Sequence, residues 1–224
     1  MARDNSPKER QLKHLERKLH SRASYDRILI VTEGSKTEPN YFGEIKAKYR
    51  LHTTNVQLRH SERGTSPIQI VQYAKELFEN GDPHRNIQKR AFERVYAVFD
   101  RDDHDSYFDA LSKAASIDGK LRNDNKQLIS FKAIASVPSF ELWLLLHFEN
   151  VLAPLHRDEV MRRLKQHIPD YDKGKEGVFA ITLDRLNTAT QRAQALANSF
   201  NAHTDPAPYT AVVDLVTLLT TLQS

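Results

Sequence analysis

Short apolar runs punctuate the first two-thirds of the chain, and each ends abruptly in polar residues. Ile28-Leu-Ile-Val-Thr32 is continuous rather than alternating, the pattern of a strand covered on both faces. Val95 to Phe99 repeats it, and Leu128 to Ser136 reads as a further strand with Ile129, Phe131, Ile134 and Ala135 apolar. Asn55 to His60 alternates like a half-buried strand. Between these runs the period lengthens. Residues 39–50 place Phe42, Ile45 and Tyr49 on one helical face. Ser35-Lys-Thr-Glu38 spells a capping box, but Pro39 favours the first helical position, which puts the cap at Glu38 or Thr37. Ser66-Pro67 opens a second helix that runs through Ile68, Val71, Ala74 and Phe78 and stops at Asn80-Gly81-Asp82-Pro83. The β-α-β-α-β order predicts a mostly parallel sheet with right-handed crossovers.

The pattern then changes in kind. Tyr107 to Ile117 reads as a helix, and Phe140 to Phe148 as another, apolar on nearly every side and therefore buried. Beyond residue 151 helices are expected at about 156–167, 183–203 and 209–222. A polar stretch from Pro169 to Gly177 joins the first two, and Asp205-Pro-Ala-Pro208 breaks the chain before the last. At the other end, Leu12, Leu15 and Leu19 recur at helical spacing, and residues 3–27 hold eight Lys/Arg against four Asp/Glu. The expected organisation is a basic helix or arm (1–23), an α/β core (24–150) and a helical extension packed on it (151–224).

Composition narrows the chemistry. The absence of cysteine excludes disulfides, zinc–thiolate sites and cysteine nucleophiles. The N-terminal residues carry no apolar core of a signal peptide, and the longest apolar run, Leu142 to Leu146, is too short to span a bilayer. A cytoplasmic protein is the expectation. The net charge of +4 and pI near 9.2 mildly favour an acidic partner such as nucleic acid.

The candidate chemistry lies where apolar runs end. Glu33 follows the first strand, and Gly34 then permits a tight turn. Asp100-Arg-Asp102-Asp103-His104-Asp105 packs four acids into six positions after another strand. Acids so close repel one another unless a cation offsets them, and hard cations such as magnesium prefer oxygen ligands. In an extended segment Asp100 and Asp102 would point the same way and Arg101 elsewhere. Glu141, after Ser136-Val-Pro-Ser-Phe140, sits in the first turn of the buried helix with Ser139 as its expected cap. Lys173 and Lys175 could bring positive charge to a phosphate. Each residue also has a plainer reading: a solvated turn glutamate, a helix-capping loop, a glutamate answering the helix dipole, a basic loop. His147 and Trp143 read as core residues.

Three blocks taken together resemble the RloB-like family: Val31-Thr-Glu33-Gly34-Ser-Lys-Thr37-Glu38-Pro39-Asn-Tyr41-Phe42, Val98-Phe-Asp100-Arg-Asp102-Asp103-His104, and Ser136-Val-Pro138-Ser139-Phe140-Glu141-Leu-Trp143-Leu-Leu-Leu-His147-Phe148. Tyr171-Asp-Lys173 fits the same pattern. The family is associated with bacterial restriction-linked and abortive-infection loci, and its core is similar to the Toprim fold. The resemblance implies a Toprim-like α/β core in which Glu33, Asp100 and Asp102 bind magnesium, or manganese in its place, and assist phosphodiester cleavage. Glu141 and Lys173 join them as expected catalytic residues, and Asp103 as a further expected metal ligand. The implied protein is a nuclease in anti-phage defence. Its partners would be DNA or RNA, tRNA included, with room for an activating defence partner and a homo-oligomer. Two other classes compete: a nucleic-acid-binding or partner-activated module with a silent site, and a phosphotransferase using Asp100-Arg-Asp102. His104 and the mid-chain position of the motif fit the phosphotransferase poorly.

Overall fold

A computed structural model describes residues 26–204 and 208–222. The predicted helix at Leu12, Leu15 and Leu19 and residues 205–207 of the Pro-rich break lie outside the described residues. Five strands form one sheet: β1 (Ile28–Thr32), β2 (Val56–His60), β3 (Arg94–Asp100), β4 (Ser130–Val137) and β5 (Tyr209–Thr210). Their order is β2-β1-β3-β4-β5. The first four run parallel, and β5 pairs antiparallel with the end of β4. The α/β, mostly parallel sheet expected from the apolar runs is therefore present.

The crossovers are helices α1 (Thr37–Lys48), α2 (Pro67–Asn80) and α3 (Tyr107–Ile117). After β4 come α4 (Glu141–Leu146), α5 (Arg157–His167), α6 (Val178–Thr182), α7 (Leu186–Ser199) and α8 (Val212–Thr221). The unbroken apolar character of β1 follows from burial on both faces. Ile28 and Ile30 pack with Tyr41 of α1 and Trp143 of α4, while Leu29 and Val31 pack with Ile70 and Phe78 of α2. All four apolar β1 side chains are fully buried, each worth about 1.5–3 kcal/mol relative to exposure. Helices α5 to α8 complete the same core as α1 and α4 through residues such as Leu164, Phe179, Leu196 and Leu215.

Four local expectations change. Helix α1 is capped by Lys36 and begins at Thr37, ahead of the predicted Thr37 or Glu38 cap. Pro39 falls in its first turn, where its missing N–H still removes no intrahelical bond. The stretch expected as one helix over 183–203 is a 3₁₀ turn over Leu183–Arg185 followed by α7, which ends at Ser199, and the short helix α6 stands before it where none was expected. The stretch expected as helix 209–222 opens instead as β5, because Tyr209 and Thr210 add to the edge of β4. Two strand residues carry too short a period to distinguish from a helix start. Leu128 lies outside β4 and is exposed.

At the N-terminal edge of the sheet the Arg27 guanidinium holds Glu93 and Asp124, each at 2.6 Å. Arg27→Ala should cost about 2 kcal/mol in urea unfolding. That is below the about 3–5 kcal/mol of a fully buried pair, because both carboxylates reach water. The substitution should leave the opposite, C-terminal edge unaffected.

Candidate metal centre at the C-terminal sheet edge

The chain leaves β1, crosses through α1 to β2 on one side, and returns through α2 to β3 on the other. The neighbours β1 and β3 therefore flank a topological switch point, where open α/β sheets leave a crevice beyond their strand ends. Glu33 immediately follows β1, and Asp100 is the last residue of β3. The two are tied directly. The Asp100 backbone N–H donates to Glu33 Oε2 at 3.0 Å, and the Glu33 N–H donates to the Val98 carbonyl at 3.0 Å.

A pocket of about 200 Å³ opens there, lined by Glu33, Glu38, Asp100, Asp102, Glu141 and Lys173. Five carboxylates from four segments thus share one small volume. Glu38 projects from the first turn of α1 and is 5% exposed. Gly34 makes its approach possible, since a Cβ on residue 34 would stand 2.6 Å from Glu38 Oε2. The role of Gly34 is that contact rather than an unusual backbone angle. Glu141 is held by two hydroxyls: Ser139 Oγ donates to Oε2 at 2.7 Å and Tyr171 Oη to Oε1 at 3.3 Å. Ser139 is therefore a carboxylate donor, and Phe140 takes the capping position expected of it.

The electrostatics follow from this crowding. Burial, eased by the Asp100 N–H and aggravated by Asp102, raises the Glu33 carboxyl to about 7. Burial likewise raises Glu38 to about 7, with Glu33 and Glu141 adding to it. Asp100 is raised well above its ordinary value, by burial first and then by Glu38, Glu141, Glu33 and Asp102. Burial opposes the Lys173 charge, but Glu141, Asp100, Asp102 and Glu38 outweigh it and hold its pKa above the ordinary value.

Asp102 departs from the extended geometry expected for the Asp-x-Asp pair. The chain turns after β3, and Asp102 adopts the left-handed region with φ of 38°. Its N–H donates to the Pro138 carbonyl at 3.1 Å, which ties this turn to the end of β4. Its Oδ2 pairs with Arg157 Nη1 at 3.1 Å, while Oδ1 is buried without a hydrogen-bond partner. Donor atoms of Glu33, Asp102 and His104 lie within 4.8 Å of one another. Oxygen-rich donors, five carboxylates facing Lys173 and Arg157, and a buried carboxylate oxygen without a hydrogen-bond partner fit a hard divalent cation.

The model of the family described as RloB-like protein matches residues 28–219. The chain belongs to the RloB-like family. No curated protein and no solved structure matches it.

Within this RloB-like chain the pocket gathers Glu33, Asp100, Asp102, Glu141 and Lys173. It does not gather Asp103, expected as a metal ligand. The turn at Asp102 carries Asp103 to an adjoining cavity, where it is exposed. His104 comes back toward Glu33, with Nε2 at 3.9 Å from Oε1. Lys175 pairs with Asp170 at 2.6 Å, so Lys173 is the loop cation of the pocket. The loop is anchored to α1: the Gly174 N–H donates to Thr37 Oγ1 at 3.1 Å and Asn40 Nδ2 to the Gly174 carbonyl at 2.8 Å. Sequence reasoning passed over Glu38, which lines the pocket, and His104, whose ring nitrogen joins the donor cluster of Glu33 and Asp102. Both stood within the quoted motifs, and the signal for Glu38 was a carboxylate at a helix start five residues after Glu33. Trp143 and His147 are core residues, as expected from sequence; Trp143 Nε1 donates to Tyr41 Oη at 2.9 Å. No helix among the described residues is long and apolar enough to cross a membrane.

Proposed function

We propose that the chain is a magnesium-dependent nuclease of the Toprim type that hydrolyses phosphodiester bonds in nucleic acid, in anti-phage defence. The observation that carries this reading is the convergence of Glu33, Asp100 and Asp102, with Glu38 and Glu141, at the β1/β3 switch point. The order of these acids along the chain is the one on which the resemblance to Toprim nucleases rests. The defence role rests on the family's association with restriction-linked and abortive-infection loci.

Glu33, Asp102 and His104 are the donors close enough together to share a cation, and Asp100, which lines the same pocket, would join them. A magnesium ion there supplies Lewis-acid polarisation of the phosphate. The protein's own groups do the rest. The Asp100 N–H fixes Glu33 Oε2 and so orients the carboxylate. In the metal-free chain that carboxyl sits at about 7; as a ligand it would bind the cation in its ionised form, and as the base instead it would take a proton from water. Ser139 and Tyr171 hold the orientation of Glu141. Lys173 offsets negative charge on the phosphoryl oxygens.

A metal-dependence screen with DNA and total RNA, comparing the intact protein with Glu33→Ala, tests the assignment. Cleavage should appear with magnesium or manganese and vanish in the variant; cleavage that persists in Glu33→Ala or in EDTA rejects it. Lys173→Ala separates charge compensation from metal binding. It should leave magnesium affinity equal or tighter, because a competing cation is gone, while cleavage falls by about 10²-fold. Weaker magnesium binding with unchanged turnover would refute the role given to Lys173.

A further inference from the structure

A second cavity adjoins the acidic pocket across Asp102. Its volume is about 200 Å³, and its walls include Val137, Pro138, Pro154 and Leu155, with Arg157 and Asp103 at its polar side. Resting on the nuclease reading above, we propose that this cavity is a nucleotide subsite that seats one unpaired base next to the scissile phosphate.

The argument starts from the shared residue. Asp102 lines both cavities, and its Oδ2 meets Arg157 Nη1 at 3.1 Å. Arg157 thus lies at the boundary, with its side chain half exposed. A guanidinium in that place takes a phosphate oxygen in planar, two-pronged fashion. The apolar walls offer flat surface to a base, and the Asp103 carboxylate offers an acceptor to an exocyclic amino group. The mixture matches a nucleotide better than a purely apolar ligand.

Rigidity links the two sites. The Arg101 N–H donates to the Ser136 carbonyl at 2.9 Å, and the Asp102 N–H to the Pro138 carbonyl at 3.1 Å. These bonds lock the Pro138 wall to the turn that carries Asp102. A base resting on Pro138 is therefore registered against the candidate metal centre. The site is a concave cavity, so a base enters it only when unstacked from its neighbours, which selects single-stranded or looped nucleic acid over duplex.

Fluorescence anisotropy with a short labelled single strand and the matching duplex, in calcium to suppress turnover, tests the subsite. The single strand should bind more tightly than the duplex. Leu155→Trp, which fills the cavity, should weaken single-strand binding about tenfold while retaining the magnesium-dependent rise in melting temperature. Should that variant fail to fold, exposed Arg157→Gln gives a second reading: a similar loss and a shallower salt dependence, as expected from one lost phosphate contact. Single-strand binding unchanged in the folded variants, or duplex binding as tight as single-strand binding, overturns the subsite and leaves the nuclease reading standing. If the intact protein binds neither strand form, both readings fall.

Discussion

Asp100→Asn should abolish magnesium-dependent cleavage and, in EDTA, make the protein more stable. The two effects have one cause. Asp100 is 7% exposed and faces Glu38, Glu141, Glu33 and Asp102. Asparagine keeps the shape of the side chain and removes a charge from this crowd, so metal-free stability near pH 8 should rise by about 1–2 kcal/mol. The same change deletes a ligand oxygen, so magnesium should raise the variant's melting temperature far less than that of the intact protein. Cleavage should fall by at least about 10³-fold. Thermal melts with and without magnesium, alongside a cleavage assay, read both effects. A variant that is destabilised in EDTA would contradict the crowded-carboxylate account, and one that still cleaves would remove Asp100 from the site.

The pH dependence of stability should run opposite to that of an ordinary salt-bridged acid. Glu33 and Glu38 titrate near 7 in the folded chain against 4.5 for a free glutamate. Between those values the folded protein retains protons that the unfolded chain has released. Stability from these groups is therefore complete below about pH 4.5, declines as pH rises, and levels off above about pH 7. A rise from 4.5 to about 7 in one such carboxyl corresponds to about 3 kcal/mol. Magnesium requires the ionised ligands, so it should stabilise the protein more near pH 8 than near pH 5 and release protons on binding near pH 6. Melting temperatures across this range in EDTA and in magnesium, with Glu33→Gln as a control for unrelated groups, test the sign. Metal-free stability that climbs from pH 5 to pH 7, with no difference in Glu33→Gln, would show that the carboxylates do not share their pocket as described.

These predictions depend on residues that sequence patterning located with uneven success. The strands were legible because burial on both faces leaves a local mark, as in Ile28 to Thr32. The first two crossover helices were legible because Phe42 with Ile45, and Val71 with Phe78, repeat on one face. Local pattern fails where the deciding contact is distant. Tyr209 and Thr210 became a strand because β4 offered an edge. Ser139 became a donor to Glu141 rather than a cap because that carboxylate turns back on it.

Chain order and residue type already placed Glu33 and Asp100 at the ends of apolar strands and made a parallel sheet the economical fold. They could not rank Asp103 against His104, or Lys173 against Lys175. The first choice was made by a left-handed turn at Asp102, and the second by an ion pair between Lys175 and Asp170. Glu38 enters the pocket from the first turn of α1, and Gly34, four residues earlier, leaves its carboxylate the room that a Cβ would take. Apolar periodicity is written into neighbouring residues and can be read from them. Convergence of residues 33, 38, 100, 102, 141 and 173 depends on strand order and on how each loop turns, and those are products of the whole packed chain.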